Sequence, residues 1–284
     1  MCADGEAVAS DLSPRQQGRL VVCPTPIGNL RDITLRALDA LRDAEAIACE
    51  DTRRTRILLD HFQIEARLVS LHEHNERRRA GELVKRMQAG ETVALVSDAG
   101  TPLVSDPGFV LVRECVDAGL EVEVLPGPSS VTTALVASGL TAERWRFVGF
   151  MPRKRSESTR LLRAEEDTLI AFEAPSRLAA TLELLVELDP DRPAVVCREL
   201  TKLHEEIRRG TAVELAAHYK QHPPRGEIVL VVAAGAAGEE NFDSALGALR
   251  ELVAGGAKPR PAAAAVARLT GLRANRLYGE LADS

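Results

Sequence analysis

Aromatic residues are scarce. Six Phe, two Tyr and one Trp make up 3% of 284 residues, so stacking of bases on rings is not a dominant device if the chain meets nucleic acid. Positive charge is not in excess either. Lys and Arg number 36 against 42 Asp and Glu, a formal net charge of −6. That excludes binding to long nucleic acid by bulk electrostatics and leaves only a local basic patch. The five cysteines, Cys2, Cys23, Cys49, Cys115 and Cys197, are odd in number and contain no CxxC pair. A disulfide framework and a zinc ribbon are thereby disfavoured, and reduced, packed thiols are expected. The longest apolar runs, such as 228–235, are too short to cross a bilayer. No charged start leads into an apolar core and a cleavage site. The expectation is a cytosolic protein with no membrane contact. No GxxxxGK[ST], GxGxxG or HExxH occurs, which removes the best support for ATP, NAD and zinc-protease readings.

What is present is an ordinary globular balance, 45% hydrophobic and 27% charged, in a length that fits one large domain or two. Residues 1–18 carry no apolar period and read as a flexible tail. From Arg19 onward short apolar runs alternate with helical patterns. Strands are expected at 20–23, 46–49, 67–71, 92–97 and 121–126. Helices are expected at 33–44, 52–62, 75–90 and 109–119, with Gly90 and Gly119 as stops. Strict alternation argues for a mostly parallel sheet covered by helices, an α/β domain over 19–127. In such sheets ligands bind at loops leaving the carboxyl ends of strands.

Segment 126–139 reads as a hinge into a second α/β domain, 128–236. Its strands are expected at 146–150, 168–172, 194–198 and 227–234, with a further one at 204–210, in a mixed sheet. Helices are expected near 156–165, 175–188 and 211–219. Small residues over 233–241 read as a linker. The remainder, within 237–284, reads as two or three short helices carrying Lys258, Arg260, Arg268, Arg273 and Arg276, broken at 258–261 and turning at Gly271.

The loops after strands carry the candidate chemistry. In TPIGN (25–29), Gly28 lets backbone approach a ligand, or makes a plain tight turn. In EDTRRTR (50–56), Asp51 or Thr52 caps the next helix, while Glu50 and Asp51 can face a cleft and Arg53 can hold an anion. In LHEHNERRR (71–79), His72 and His74 permit a metal, but no third ligand is evident and none is expected; Arg77, Arg78 and Arg79 fit a solvated face. SDAGTPLVSDPG (97–108) is a long shaped loop that offers carbonyls, Asp98 and Asp106 to a cationic ligand; a phosphate is unwelcome there and a sulfonium is welcome. PGPSS (126–130) is not GxSxG, which disfavours a nucleophilic serine.

Taken together and in order, PTPIGNLRDITLRAL (24–38), EDTRRTRILLDHF (50–62), HEHNE (72–76), SDAGTPLVSDPG (97–108), PGPSS (126–130), GFMPRK (149–154), FEAPSR (172–177) and RELTK (198–202) resemble one family. It is the tetrapyrrole-methylase-like, class III S-adenosylmethionine methyltransferases. Within it the likeness is to the bacterial type that methylates a cytidine 2′-oxygen of 16S rRNA. The match runs over about 20–232. The tetrapyrrole members carry Gly-Asp-Pro in the strand-four loop, where this chain has Ser97-Asp98-Ala99.

The resemblance implies two α/β subdomains with a ligand cleft between them, a small C-terminal helical segment, and a homodimer. It implies S-adenosylmethionine as cofactor, held by Pro26, Ile27, Asp98, Gly100, Thr101, Ser129, Ser130, Phe172 and Glu227. The acceptor it implies is a decoding-centre cytidine of 16S rRNA in the small ribosomal subunit. Its ribose hydroxyl benefits from a base, for which Glu50 and Asp51 are the leading candidates, with Arg53 placing a phosphate. Glu173 is a further candidate, and so is Lys202 if burial depresses its pKa. RNA contact is expected from Arg77, Arg78, Arg153, Lys154 and Arg155. Two rivals are a methylase of a small tetrapyrrole-like metabolite and a non-catalytic ribosome-assembly factor.

Overall fold

Apolar residues fill both faces of the first sheet, which is why its strands read as continuous hydrophobic runs. In the computed structural model, which describes residues 18–235, 237–270, 272 and 274–282, the strands β1 (Arg19–Val22), β2 (Ala46–Cys49), β3 (Leu68–Ser70), β4 (Val93–Leu95) and β5 (Glu121–Val124) are all parallel, in the order β3-β2-β4-β1-β5. Cys2 and the expected tail up to residue 17 lie outside the described residues, as do Gly271 and Arg273. Side chains alternate between the two faces. Val21, Ile47, Cys49 and Ala94 pack against Ala37, Leu38 and Leu41 of α1 (Leu35–Asp43) and Leu59 of α2 (Thr52–His61). Leu20, Val22, Ala48, Val93 and Leu95 pack against Leu83 and Met87 of α3 (Glu76–Gln88) and Leu111 and Cys115 of α4 (Phe109–Asp117). Each such buried leucine contributes about 1.5–3 kcal/mol.

The chain divides into two compact units between Ser129 and Ser130. The sheet of the second unit is mixed. Its order is β6-β7-β10-β8-β9, from β6 (Trp145–Phe150), β7 (Thr168–Glu173), β8 (Pro193–Arg198), β9 (Glu206–Thr211) and β10 (Ile228–Val232). Only β6 and β7 pair in parallel. One face, with Leu169, Ala171, Val196 and Leu230, packs on α6 (Arg155–Arg163), α7 (Pro175–Leu188) and α8 (Ala212–Gln221). Pro175 opens α7, and the Thr211–Glu214 capping box opens α8, both helix-start signals.

Two expectations are corrected. Segment 126–139 is not simply a hinge, because Ser130–Ser138 form α5, with Val131, Ala134, Leu135 and Ser138 buried at helical spacing. The segment 233–241 is not a linker throughout. Helix α9 (Ala237–Ala254) begins inside it, and Phe242, Ala245, Leu246 and Leu249 pack on α10 (Pro259–Thr270) and α11 (Ala274–Ala282). The Ala- and Gly-rich start hid a helix that is held by tertiary contacts. Arg276 lies over the Phe242 ring at 4.0 Å and reaches Glu166 at 3.4 Å, and Arg260 lies over Tyr278 at 5.2 Å. Among the described residues, no helix is long and apolar enough to cross a membrane.

Candidate functional site at the strand ends of the first unit

Strands β1 and β4 are neighbours at the centre of the sheet, so the loops leaving them meet. Thr25 and Gly100 exchange both backbone hydrogen bonds, each 2.9 Å. The Thr25 hydroxyl donates to the Ser97 carbonyl at 3.0 Å, and the Thr101 hydroxyl donates to the Pro128 carbonyl at 3.1 Å. Gly100 sits at φ +78°, a conformation that side chains rarely adopt, and a Cβ there would lie in contact with Ile27 at 3.4 Å. The loops after β1, β4 and β5 are thereby tied together, and Pro26, Ile27, Asp98, Gly100 and Thr101 are gathered on them. Ser129 closes this unit. Ser130, Phe172 and Glu227 belong to the second unit. Phe172 stacks edge-on with Phe147 and Phe150 at 5.0 and 5.4 Å, and Glu227 accepts from Lys202 at 3.0 Å.

The loop after β4 is strained. Leu103 and Ser105 hold φ of 71° and 67°, and Gly108 holds 126°. Left-handed backbone at non-glycine residues costs about 1–3 kcal/mol each and persists only where the surroundings enforce it. Glu76 is one such restraint. Its Oε1 accepts the N–H groups of Gly108 and Val110 at 2.8 and 2.9 Å. The preceding Asn75 accepts the His72 N–H at 2.9 Å and donates to the Ser70 carbonyl at 3.2 Å. Within HEHNE the last two residues are therefore scaffold. His72 and His74 stand with ring centroids 6.0 Å apart, and among the described residues no group of three or more His, Cys, Asp or Glu is placed to hold a metal.

Carboxylates dominate the electrostatics. Burial raises the Glu50 pKa, and Asp98 adds to the rise. Burial, with Glu50 and Asp98 beside it, pushes Asp106 up to about 6. Asp51 goes the other way, because hydrogen bonds from Arg53 hold its carboxyl below the usual range. It caps α2 by accepting the Arg53 N–H at 2.8 Å, and Arg53 folds back onto it through Nε and Nη2 at 3.3 and 3.2 Å. Arg54, by contrast, points to Asp98 at 3.5 Å. Asp98 also accepts the Asp51 N–H at 3.1 Å. A cavity of about 210 Å³ opens here. Apolar Pro26, Leu30, Ile57 and Leu58 line it together with polar Thr25, Arg54, Ser97 and Asp98.

Two expected bases are occupied elsewhere. Glu173 is buried and accepts from Thr181 at 2.5 Å and from the Ala174 N–H at 2.8 Å; it anchors the start of α7. Burial acts to lower the Lys202 pKa, but hydrogen bonds to Glu199 and Glu227 outweigh it and leave the group raised. Lys202 is therefore not a depressed-pKa base. Of the expected RNA contacts, Arg77 and Arg78 lie in the first turn of α3, and Arg78 pairs with Glu82 at 2.7 Å. Arg153 is exposed, Lys154 pairs with Glu157 at 3.3 Å, and Arg155 pairs with Glu187.

These features define an α/β protein with interlocked, carboxylate-rich loops at the strand ends of its first sheet. The profile of the Tetrapyrrole (Corrin/Porphyrin) Methylases matches residues 19–216, and the chain belongs to that family. It is 46% identical over 270 residues to the ribosomal RNA small subunit methyltransferase I of Escherichia coli O157:H7, covering 92% of this chain and 94% of that one. It is 43% identical over 217 residues to the protein of the same name from Thermotoga maritima, covering 76% of this chain and 98% of that one. A solved diphthine synthase shares the fold, with TM-score 0.61 and 20% identity, over 76% of this chain and 90% of that one. So does uroporphyrin-III C-methyltransferase from Thermus thermophilus complexed with S-adenyl homocysteine, with TM-score 0.53 and 21% identity, over 78% and 98%.

Sequence reading missed Arg54 and Glu76. The pairing of neighbouring arginines with different carboxylates, and a side chain of α3 capping α4, are set by tertiary placement. Asp106 was named only as a group for a cation. That burial and two carboxylates push it up to about 6 had no local signal.

Proposed function

We propose that this protein transfers a methyl group from S-adenosylmethionine to small-subunit rRNA, and that the acceptor is the ribose 2′-oxygen of a decoding-centre cytidine in 16S rRNA. The support that carries most weight is 46% identity, over 92% of the chain, to a protein named ribosomal RNA small subunit methyltransferase I. The donor set fits a sulfonium nucleoside: Asp98, Asp106 and Glu50 supply negative charge, and Gly100 leaves room that a Cβ would narrow against Ile27. Bound S-adenosylmethionine supplies a methyl group activated by cationic sulfur.

The chain's own residues do the rest. Pro26, Ile27, Asp98, Gly100, Thr101 and Ser129 are the proposed cofactor residues of the first unit, and Ser130, Phe172 and Glu227 those of the second. Alignment of donor and acceptor is worth up to about 7–11 kcal/mol. A base for the ribose proton adds roughly 10²–10⁴-fold. Between the neighbours Glu50 and Asp51, Glu50 keeps its proton to higher pH, nearer the working range, while the Asp51 oxygens are engaged by Arg53. Arg53, Arg77, Arg78, Arg153, Lys154 and Arg155 supply phosphate contacts along the backbone, which position RNA without reading it. A homodimer acting in the cytoplasm on assembled subunits completes the reading.

The test is incubation of the full chain with labelled S-adenosylmethionine and small ribosomal subunits, beside porphyrinoid acceptors, followed by nucleoside mass spectrometry. 2′-O-methylcytidine is expected. Label in the porphyrinoid arm supports a small-molecule methylase instead, and no calorimetric binding of the cofactor supports a non-catalytic factor.

A further inference from the structure

The cavity beside α2 mixes apolar and charged lining within one unit. Pro26, Leu30 and Ile57 are apolar, and Ile57 is 67% exposed although it is a large aliphatic group. The guanidinium of Arg54 also lines it, 62% exposed and reaching Asp98 only at 3.5 Å. A charge-assisted hydrogen bond of this kind closes to about 2.7–2.9 Å when fully formed, so Arg54 keeps donors for an incoming anion. Arg53 does not share this position, since its Nε and Nη2 are both turned to Asp51. Arg54 also lies in the first turn of the ten-residue helix α2, where the helix dipole favours negative charge.

Apolar lining for a planar ring and a cation for a phosphate make a nucleotide site. The alternative occupant is the cofactor. Its adenine and carboxylate offer the same ring and anion, so the two occupants are separated by the S-adenosylmethionine affinity of the Arg54 variants. We propose that this cavity receives the acceptor nucleotide of the RNA, with its base or sugar on Leu30 and Ile57 and its phosphate on Arg54. This rests on the reading of the protein as an RNA methyltransferase and names the residue that seats the acceptor. Asp98 lines the same cavity and lies beside Glu50 and Asp106, which connects the seat to the carboxylates available for proton removal.

The test uses the full chain, its Arg54→Gln, Arg54→Lys and Ile57→Asp variants, unmethylated small ribosomal subunits, and cytidine 5′-monophosphate as an isolated probe. Arg54→Gln is expected to raise KM for subunits about tenfold or more and to lower the salt slope of binding by about one, with the Kd for S-adenosylmethionine within about twofold of wild type. Arg54→Lys recovers most of the loss, because a phosphate accepts a point charge. Ile57→Asp, at an exposed position, weakens subunit binding at an unchanged melting temperature. Titration with cytidine 5′-monophosphate, followed by NMR, perturbs the wild type and not Arg54→Gln. Unchanged KM in Arg54→Gln and Ile57→Asp overturns the proposal, as does a loss of cofactor affinity matching the loss of subunit affinity. If wild type fails to methylate subunits yet loses nucleotide binding on Arg54→Gln, the acceptor reading falls and the nucleotide seat stands. Equal or absent nucleotide binding in both proteins removes the seat.

Discussion

Asp106 illustrates what a single residue acquires from its surroundings. Its ordinary pKa of 3.8 rises to about 6 because burial and the Glu50 and Asp98 carboxylates all disfavour its ionised form. The folded state thus binds this proton more tightly than the unfolded chain. The stabilisation is full below pH 3.8 and is lost as pH rises toward 6, after which the penalty of the buried charge is constant. Asp106→Asn is neutral throughout and escapes that penalty. Thermal melts are expected to show the variant gaining on wild type between pH 4 and 6, then keeping an advantage on the order of 1–2 kcal/mol after allowance for partial solvent screening. A gap that does not change with pH contradicts the assignment. None of this is visible locally, since the loop sequence shows Asp106 only as a charge available to a cation. Asp51, by contrast, was legible as a helix cap, because capping depends only on the residues that follow it.

Between elements, the decisive contact is the carboxylate of Glu76 at the start of α4. Gly108 precedes that helix and brings no side-chain cap, so Glu76 supplies the acceptor for two backbone N–H groups from another helix. A negative group there also complements the helix dipole. Glu76→Ala leaves both donors unpaired and loosens the loop holding Leu103 and Ser105 in left-handed backbone. A loss of about 1–3 kcal/mol is expected in denaturant titration, with weaker binding of S-adenosylmethionine. Glu76→Gln keeps an acceptor oxygen and is expected to restore most of both. A Gln variant as impaired as Ala would mean that charge, and not the hydrogen bonds, holds the loop. The elements themselves were largely readable: α7 occupies the expected 175–188, since its period is unbroken from Pro175. Helix α5 was not, because its Ser, Thr, Val and Ala residues carry little contrast between faces.

At the scale of the whole chain, the helices α9, α10 and α11 form a core of their own around Phe242, Leu249, Val266 and Leu277. A Thermotoga maritima relative matched over 98% of its length leaves roughly a quarter of this chain unmatched. Truncation after residue 235 is therefore expected to leave a protein that melts cooperatively and binds S-adenosylmethionine with Kd within about threefold of the full chain. Aggregation on truncation would show instead that the ion pair of Arg276 with Glu166 marks an essential seam. The sequence by itself determined the alternation of strand and helix, the parallel first sheet and the motif-bearing loops, because hydrophobic period and turn chemistry are local properties. Only the tertiary structure decided which loops interlock, that Arg54 and not Arg53 lines the cavity, and that burial beside two carboxylates pushes Asp106 up to about 6. Those outcomes depend on strand order and on burial among residues far apart in the chain, and no local pattern encodes them.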